Sequence, residues 1–422
     1  MTNSENIGAL NNLRVIELGT ELGAWCGKLL ADMGANVIKI EPLSGDKSRT
    51  YEPFYQDVND TENSLFWWHY NTNKQSVTID IETDHGQKLV QELVAQSDVV
   101  LDSYTPGYLD SLGLGYEQLK TQNDSIIFAA VSFFGQNMPY SSYQMTDLTA
   151  VAFGGPAWSC GYDDHSIPPV RGGGNQGYQT ACHFAMIAIM TALLYRLESG
   201  EGQFIDVNMH AALNVTTEGS SYNYLVNGGI VQRQTGRHAG IRPSAGTQIP
   251  GPGGRYLQVG FPARTEEQWF SLLAWLEEEG VLDDIGDYLS PPSRQSLAAG
   301  DEKTQEQLHL VMNAISKMAA EKDPVELFRE AQNRGFQWGI VNTPEDVMED
   351  PHFNARGFVV SVDHPEMDST FRYPGAPYKF EKGQWSIRRR APFLGEDNKS
   401  VLVGRLNLSE SDFKRLSEEG VI

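Results

Sequence analysis

A β–α–β pattern over residues 13–41 is the feature that most limits what this chain can fold into. Leu13 to Leu18 (LRVIEL) is a short apolar run typical of a buried strand, and Glu21 to Met33 has helical spacing of its apolar residues. Asn36 to Ile40 (NVIKI) predicts the next strand. Such a unit opens a doubly wound sheet with helices on both faces. The sequence therefore predicts an α/β fold.

Similar signals continue along the first half of the chain. They predict a helix from His85 to Gln96, strands from Asp98 to Leu101 and from Ser125 to Ser132, a long helix from Tyr178 to Arg196, and a strand within GEGQFIDVNM.

The composition changes after residue 219. Ser220 to Arg255 is rich in Gly, Asn, Gln, Arg and Pro and predicts a linker or mobile loop. Beyond it the pattern predicts a strand over Tyr256–Phe261, helices near 266–279, 305–320 and 324–333, short strands after Gly335 and a closing helix over Ser409–Glu418. The predicted domains are a large domain over 1–219, a linker and small domain over 220–334, and a return to the large domain over 335–422.

The composition argues against nucleic acid as a partner. The 422 residues include 32 Lys and Arg against 55 Asp and Glu, a formal charge of −23, whereas phosphate backbones are bound by clustered cations. Cys26, Cys160 and Cys182 form no CxxC pair and no histidines fall at metal-ligand spacing, so neither disulfides nor a metal site are predicted. No secretory signal is visible, and the longest apolar run, Met186 to Leu194, is shorter than the ~18 residues of a membrane helix. We expect a cytoplasmic protein.

A glycine-rich loop leads into the long predicted helix. Its sequence, PPVRGGGNQG, ends at Gly177. A helix N-terminus presents unpaired backbone N–H groups and the positive end of a dipole, which suits an anionic ligand or a catalytic carboxylate. Yet from Gly172 to Phe184 the chain has no Asp, Glu, Ser, Lys or Arg. The pattern predicts a site that lacks an obvious catalytic group.

Six stretches, spread from residue 13 to 402, resemble the family III CoA-transferases of the CaiB/BaiF type. They are LRVIELGTELGAWCGKLLADMGANVIKIEPLSGDKSR, NTNKQSVTIDIETDHGQKL, SDVVLDSYTPGYLDSLGLGYEQL, SGEGQFIDVNM, RGFQWGIVNTPEDVMEDPHFNARG and APFLGEDNKSVL. The resemblance implies a Rossmann-like large domain built from both chain ends, a smaller α+β domain in the middle, and two subunits threaded through each other as interlocked rings. It also implies a coenzyme A thioester as substrate and no covalently bound cofactor.

The family's catalytic aspartate has no counterpart in this chain. In the family it follows the glycine-rich loop, attacks the acyl thioester and forms a mixed anhydride that the CoA thiolate reopens. Here Gly177 matches the family's glycine and Tyr178 stands at the position of the aspartate. A phenol cannot form that anhydride, so no catalytic residue is assigned. The residues expected to remain from the pocket are Asp147, Gly172, Gly173 and Gly174.

The CoA-binding residues that the resemblance implies are also altered. The expected vestige of the site comprises Thr20, Glu21, Leu22, Ile79, Asp80, Ser103, Tyr104, Thr105 and Gln144. Relatives carry basic residues at positions that are Pro42, Glu82, Ser111 and Gln144 here. Each lost cation removes a charge-assisted phosphate contact worth ~1.5–3 kcal/mol. Weak CoA binding, or none, is therefore expected.

Loss of both nucleophile and cations resembles the non-catalytic subunit of a two-subunit family III enzyme for an aromatic succinate. The expected complex moves CoA between an acyl-CoA such as succinyl-CoA and a carboxylic acid, and its partner is a paralogue that keeps the aspartate. Two alternatives stay open. One is a homodimer with altered chemistry that uses Tyr178, Asp147 or another carboxylate, and the other is an acyl-CoA-binding or regulatory protein without turnover.

Overall fold

The computed structural model describes residues 8–260, 263, 265–282, 290–293, 296 and 301–422. The strands are β1 (Arg14–Leu18), β2 (Asn36–Glu41), β3 (Gln75–Thr78), β4 (Val99–Asp102), β5 (Ile127–Ser132), β6 (Gln203–Asn208), β7 (Gln232–Gln234), β8 (Arg237–Gly240), β9 (Gln248–Pro250), β10 (Tyr256–Gln258), β11 (Gly339–Val341), β12 (Val359–His364) and β13 (Ser369–Pro374).

The helices follow the same chain order. They are α1 (Glu21–Asp32), α2 (Leu65–Tyr70), α3 (Asp84–Ala95), α4 (Tyr108–Ser111), α5 (Tyr116–Lys120), α6 (Asp147–Phe153), α7 (Gln176–Ser199), α8 (Met209–Val215), α9 (Glu218–Asn227), α10 (Glu266–Glu278), α11 (Glu302–Glu321), α12 (Pro324–Asn333), α13 (Pro344–Met348), α14 (Pro351–Arg356) and α15 (Glu410–Glu418).

Contacts between residues divide the chain into two compact units. The first comprises the described residues of Met1–Gly154, Gly173–Thr216 and Pro351–Ile422, and the second those of Gly155–Gly172 and Thr217–Asp350. This grouping places 155–172 and 335–350 in the second unit. The domain boundaries expected from the sequence, after 219 and 334, stay a prediction.

A six-stranded parallel sheet organises the first unit. Its strand order is β3–β2–β1–β4–β5–β6, and each neighbouring pair is parallel. The chain therefore reverses its winding direction between β1 and β4, which creates a crevice at their carboxyl ends. The predicted α/β class and Rossmann-like sheet are confirmed.

Apolar residues on the strands and their helices form the core of this unit. Ile16, Ile38, Val77 and Val100 are fully buried in one cluster that also includes Val421 near the chain end. The carboxyl-terminal segment therefore packs on the sheet that the amino-terminal segment begins.

The second unit has its own core. A cluster of buried side chains from the β9–β10–β11 sheet and helices α10, α11 and α12 includes Leu257, Trp269, Trp275, Ile315 and Leu327. The predicted strand Tyr256–Phe261 is observed as β10 (Tyr256–Gln258), and Phe261 lies outside the described residues.

The prediction of a linker or mobile loop over Ser220–Arg255 is wrong. This range contains most of α9, all of β7, β8 and β9, and a short 3-10 turn. Polar side chains hold it: Arg237 forms a bidentate ion pair with Asp163, and Gln234 accepts the backbone N–H of Ser244 at 2.7 Å. The prediction relied on the polar, glycine-rich composition of this range, and side-chain hydrogen bonds hold its strands despite that composition.

Helix α7 is longer and more exposed than the sequence suggested. It begins at Gln176 and ends at Ser199, and its length and composition would suit a membrane span, although one such helix is weak evidence. It packs on α1, α8, β5 and β6 of the first unit. Even so, only 28% of the most apolar 18-residue stretch of α7 is buried. Ile187, Leu194 and Leu197 are mostly exposed. One face of α7 is therefore apolar and uncovered in the single chain.

Gly19 joins β1 to α1 at the crevice. Its φ is +136°, and a Cβ atom there would lie 2.3 Å from Oγ and 2.7 Å from the backbone N of Ser103, which follows β4. Only glycine lets the two strand ends approach this closely.

We predict that Gly19→Ala lowers the free energy of unfolding by about 2–4 kcal/mol, because backbone strain adds to the clash with Ser103. Gly113→Ala is the matched control, since Gly113 also has positive φ (+68°) but a Cβ atom there would meet nothing within 4 Å. The control should lose about 1 kcal/mol. Urea unfolding followed by circular dichroism measures both values, and equal losses would contradict the close packing of the strand ends.

Candidate functional site

The N-terminus of α7 is occupied by a carboxylate from elsewhere in the chain. Asn175 precedes the helix and makes no capping hydrogen bond with its side chain. Instead, Oδ1 of Asp147 accepts the backbone N–H of Tyr178 at 3.0 Å. A Cβ on Gly177 would lie 2.9 Å from that same oxygen. Glycine at 177 thus lets Asp147 serve as the anion that this helix end favours.

Asp147 is fixed in this position by its own helix. It is the first residue of α6, where the cap residue Thr146 and Thr149 form a reciprocal capping box. Its side chain is 5% exposed. A carboxylate that is buried and hydrogen-bonded in this way is poorly placed to attack a thioester.

Tyr178 is buried beside this contact. Its ring lies 6.3 Å from that of Phe133, and the residue is 7% exposed. Burial, followed by the negative charge of Glu21, raises the pKa of the Tyr178 hydroxyl well above its ordinary value. The phenol stays protonated at neutral pH and is not a nucleophile in the observed arrangement.

The glycines before α7 form an exposed backbone segment. Gly174 has a φ of +75°, and a Cβ on Gly173 or Gly174 would meet no atom within 4 Å. Gly172 belongs to the second compact unit, where its carbonyl accepts a hydrogen bond from Arg171. The expected grouping of these glycines with Asp147 in one pocket stays a prediction.

The crevice between β1 and β4 brings together several residues of the expected CoA site. The backbone N–H of Thr20 donates to Oγ of Ser103 at 2.9 Å, and that hydroxyl lies 3.2 Å from the carbonyl of Thr20. Thr20 also caps α1 by accepting the N–H of Leu22. Next to it, Glu21 accepts the hydroxyl of Tyr51 at 2.9 Å. The loop after β1 is therefore held by hydrogen bonds to the loop after β4 and to Tyr51.

A cavity of about 370 Å³ lies at the carboxyl ends of β2 and β3. It is lined by Pro42, Ile79, Asp80, Glu82 and Tyr104, among others. The structure therefore brings together three of the residues expected to contact CoA and two positions, Pro42 and Glu82, at which the family resemblance implies cations. Among the described residues, no Lys or Arg lines this cavity, whereas Asp80 and Glu82 do. Its charge opposes a phosphate ligand.

Two buried cations close in sequence to this cavity, Lys39 and Arg49, pair with internal carboxylates, whereas Lys47 is exposed. Lys39 pairs with Glu17 at 3.1 Å and Asp46 at 2.9 Å, with only 1% of its side chain exposed. Although burial disfavours its charged form, Asp46 and Glu17 hold the pKa of Lys39 above its ordinary value.

Arg49 is committed in the same way. It donates to Glu41 through Nε at 2.7 Å and pairs with Glu62 at 2.8 Å. Its guanidinium lies 3.7 Å from the ring centroid of Trp67. Neither Lys39 nor Arg49 is available to a ligand.

Other residues of the expected site do not reach the cavity. Leu22 is 3% exposed and its carbonyl accepts the thiol of Cys182, while Thr105 and Ser111 are exposed on the turn and helix after β4. Gln144 lies exposed in the loop before α6 and does not line the cavity. Their assignment to CoA binding stays a prediction.

The sequence did not reveal that buried lysines and arginines pair with buried carboxylates inside the protein. Buried Lys39, Lys74 and Arg49 carry no local pattern that separates them from surface cations, because their partners are distant in sequence. The family resemblance had already placed Asp147 among the pocket residues, and its place after Thr146, which caps α6, is a further local signal.

Comparison with known proteins agrees with the fold. The model of CoA-transferase family III matches residues 10–398. The chain belongs to CoA-transferase family III, a class of transferases that act on CoA thioesters, and the predicted family is confirmed.

Two curated relatives match nearly the whole chain. It is 29% identical over 397 residues to the succinyl-CoA:(R)-benzylsuccinate CoA-transferase subunit BbsE of Thauera aromatica, covering 93% of each chain. It is 30% identical over 415 residues to the succinyl-CoA–D-citramalate CoA-transferase of Chloroflexus aurantiacus, covering 98% of each. A crystal structure of a CaiB/BaiF family protein from Brucella suis superposes with a TM-score of 0.78 at 26% identity, covering 94% of this chain and 100% of that one.

We predict that CoA binds the purified chain far more weakly than micromolar, because its candidate phosphate cavity is acidic. Isothermal titration calorimetry measures the affinity. Glu82→Lys should tighten binding about tenfold or more by adding a charge-assisted contact.

Glu267→Lys is the control for this experiment, since it makes the same charge change on an exposed position of α10. It should leave the affinity unchanged. Micromolar binding by the unaltered chain would mean that phosphate contacts lie outside the cavity.

Proposed function

We propose that this chain is the non-catalytic subunit of a heteromeric family III CoA-transferase. The complex moves CoA between an acyl-CoA donor such as succinyl-CoA and a carboxylic acid such as an aromatic succinate. The partner is a paralogue with an aspartate at the position of Tyr178. The observation that carries the proposal is the N-terminus of α7, where the phenol of Tyr178 is buried after the glycine-rich loop and Asp147 accepts the backbone N–H of Tyr178.

The activities named for the relatives support the substrate class. BbsE is a subunit of an enzyme that uses succinyl-CoA and (R)-benzylsuccinate, and the relatives from Chloroflexus aurantiacus and Haloarcula hispanica also use succinyl-CoA. A dicarboxylic or aryl-substituted acid is therefore the acceptor class that we propose for the complex.

The uncovered apolar surfaces support a partner subunit. On α7, Leu194 and Leu197 are 67% and 81% exposed, and on α9, Leu225 and Val226 are 80% and 77% exposed. Helix α7 belongs to the first unit and α9 to the second. On each helix, exposed apolar side chains of this size are typical of a face that another chain covers. An interlocked assembly with a paralogue would bury these side chains.

In such a complex the residues of this chain stabilise the site and take no part in the reaction. The carboxylate of Asp147 neutralises the end of α7. Tyr178 fills the position proposed for the nucleophile with a neutral phenol, whose hydroxyl keeps its proton. These contacts hold the helix end without reacting. The subunit completes and orients the assembly, and the acyl group is transferred on the partner's aspartate.

The test is acyl-enzyme trapping with succinyl-CoA. We expect no hydroxylamine-sensitive or borohydride-sensitive adduct on this chain alone, and an adduct on the aspartate-bearing paralogue when the two are co-expressed. Intact-protein mass spectrometry distinguishes the two subunits. A complex with the paralogue's aspartate changed to Ala is the control and should show no adduct.

Two outcomes would overturn the proposal. An adduct on the chain alone would favour a homodimer that uses another carboxylate. A stable homodimer that binds acyl-CoA tightly without turnover would favour a regulatory binding protein.

We also predict that Tyr178→Asp alone does not give CoA transfer. The N-terminus of α7 is already occupied by the carboxylate of Asp147, which accepts the backbone N–H of residue 178. The new carboxylate would also lack a positioned thioester, and positioning can supply ~7–11 kcal/mol of the barrier.

Consumption of succinyl-CoA, followed by liquid chromatography, measures this variant. Tyr178→Phe controls for loss of the hydroxyl and should keep the urea midpoint of the unaltered chain within the error of the measurement. Robust transfer by Tyr178→Asp would mean that the CoA site is intact and that the chain is a recently silenced enzyme.

A further inference from the structure

A second cavity lies on the other side of β4, within the first unit. Its volume is about 260 Å³, and Asp102, Asp110, Glu117, Tyr116, Phe128 and Phe204 are among its lining residues. It shares no lining residue with the cavity at β2 and β3. Nothing in the proposed role in CoA transfer uses it.

Strand pairing explains the layout of this cavity. Asp102 on β4 pairs with Ala130 on β5, and Ala130 pairs with Asp206 on β6. Two residues earlier along β5, and so on the same face of the sheet as Ala130, Phe128 pairs with Phe204. The small side chain of Ala130 therefore leaves room above two stacked rings, next to Asp102.

Asp102 is a buried carboxylate with an unused oxygen. It is 8% exposed, and its Oδ1 accepts the backbone N–H of Tyr104 at 2.9 Å. In the part of the chain that the structure describes, no other donor forms a hydrogen bond to it. Burial, then the charge of Asp110, raises the pKa of Asp102 to about 7. A buried acid in this state is costly to ionise unless a cation or donor reaches it.

Aromatic rings also line the cavity. The ring centroid of Tyr116 lies 6.1 Å from that of Phe128 and 5.6 Å from that of Phe204, and Phe128 and Phe204 are 5.8 Å apart. Ring faces attract cations, most strongly where water is excluded. Carboxylates and aromatic rings that line the same cavity are the features that recognise an alkylammonium group.

We propose that this cavity binds a small organic ammonium ion, with its N–H group on the free oxygen of Asp102 and its alkyl chain against Phe128 and Phe204. A bare divalent metal fits less well, because the volume is large and no group of three or more His, Cys, Asp or Glu among the described residues is arranged to hold a metal. The chain's own cation nearby, Lys120, lies on the exposed side, with Nζ 5.5 Å from the centroid of Tyr116. It leaves the space beside Asp102 open.

The test uses n-butylammonium chloride as the probe and 1-butanol as its uncharged isostere, with the full-length chain in constant ionic strength. Calorimetry should give a Kd on the order of 1 mM or tighter for butylammonium. Binding of 1-butanol should be at least tenfold weaker.

Two variants remove one negative charge each. Asp102→Asn should weaken butylammonium binding about tenfold or more, because a charge-assisted hydrogen bond is lost. Glu82→Gln, in the other cavity, makes the same change in charge and should leave binding unchanged.

Ala130→Val provides an independent variant, because it fills the space beside Asp102 without altering charge. It should also weaken binding. Equal binding of the alcohol, undiminished binding by Asp102→Asn and Ala130→Val, or an equal loss in Glu82→Gln would each overturn the proposal. None of these results bears on the proposed role in CoA transfer, which acyl-enzyme trapping tests separately.

Discussion

The pairing of Glu17 with Lys39 and Lys74 is the interaction on which the large unit depends. These three buried groups belong to β1, to β2 and to the turn before β3, and Glu17 lies opposite Lys39 in the strand register. A one-residue slip of either strand would leave unpaired charges in the core, so the pairing fixes the register as well as the charge balance. The same arrangement takes Lys39 and Lys74 into the interior, where a carboxylate neutralises them.

Sequence patterns captured the parts of the fold that depend on apolar periodicity. Strand β1, helix α1 and strand β2 lie within one residue of their predicted ends, because buried runs and helical spacing are local properties. The range 220–255 was misread because polar side chains, such as Arg237 and Gln234, stabilise its strands. Periodicity carries no signal for such contacts.

For the candidate site, the sequence predicted which residues are present but not which of them are in contact. That Tyr178 lies at the start of a long helix, directly after a glycine-rich loop, could be predicted from the sequence, since it needs only a motif and a position. That Asp147 would accept the N–H of Tyr178 could not be read, because the two residues lie on different helices and meet only through the tertiary fold. The carboxylate of Asp102 was likewise hidden, because its significance comes from burial beside Ala130 rather than from any neighbour in the chain.

The uncovered apolar face of α7 has a consequence for the protein's life in a cell. An orphan copy would expose Ile187, Leu194 and Leu197 to water, and surfaces of that kind are what chaperones and proteases act on when they triage newly made chains. The amount of this protein would then follow the supply of whatever chain covers the helix. Balanced synthesis of the two chains would matter more to its abundance than its own folding stability.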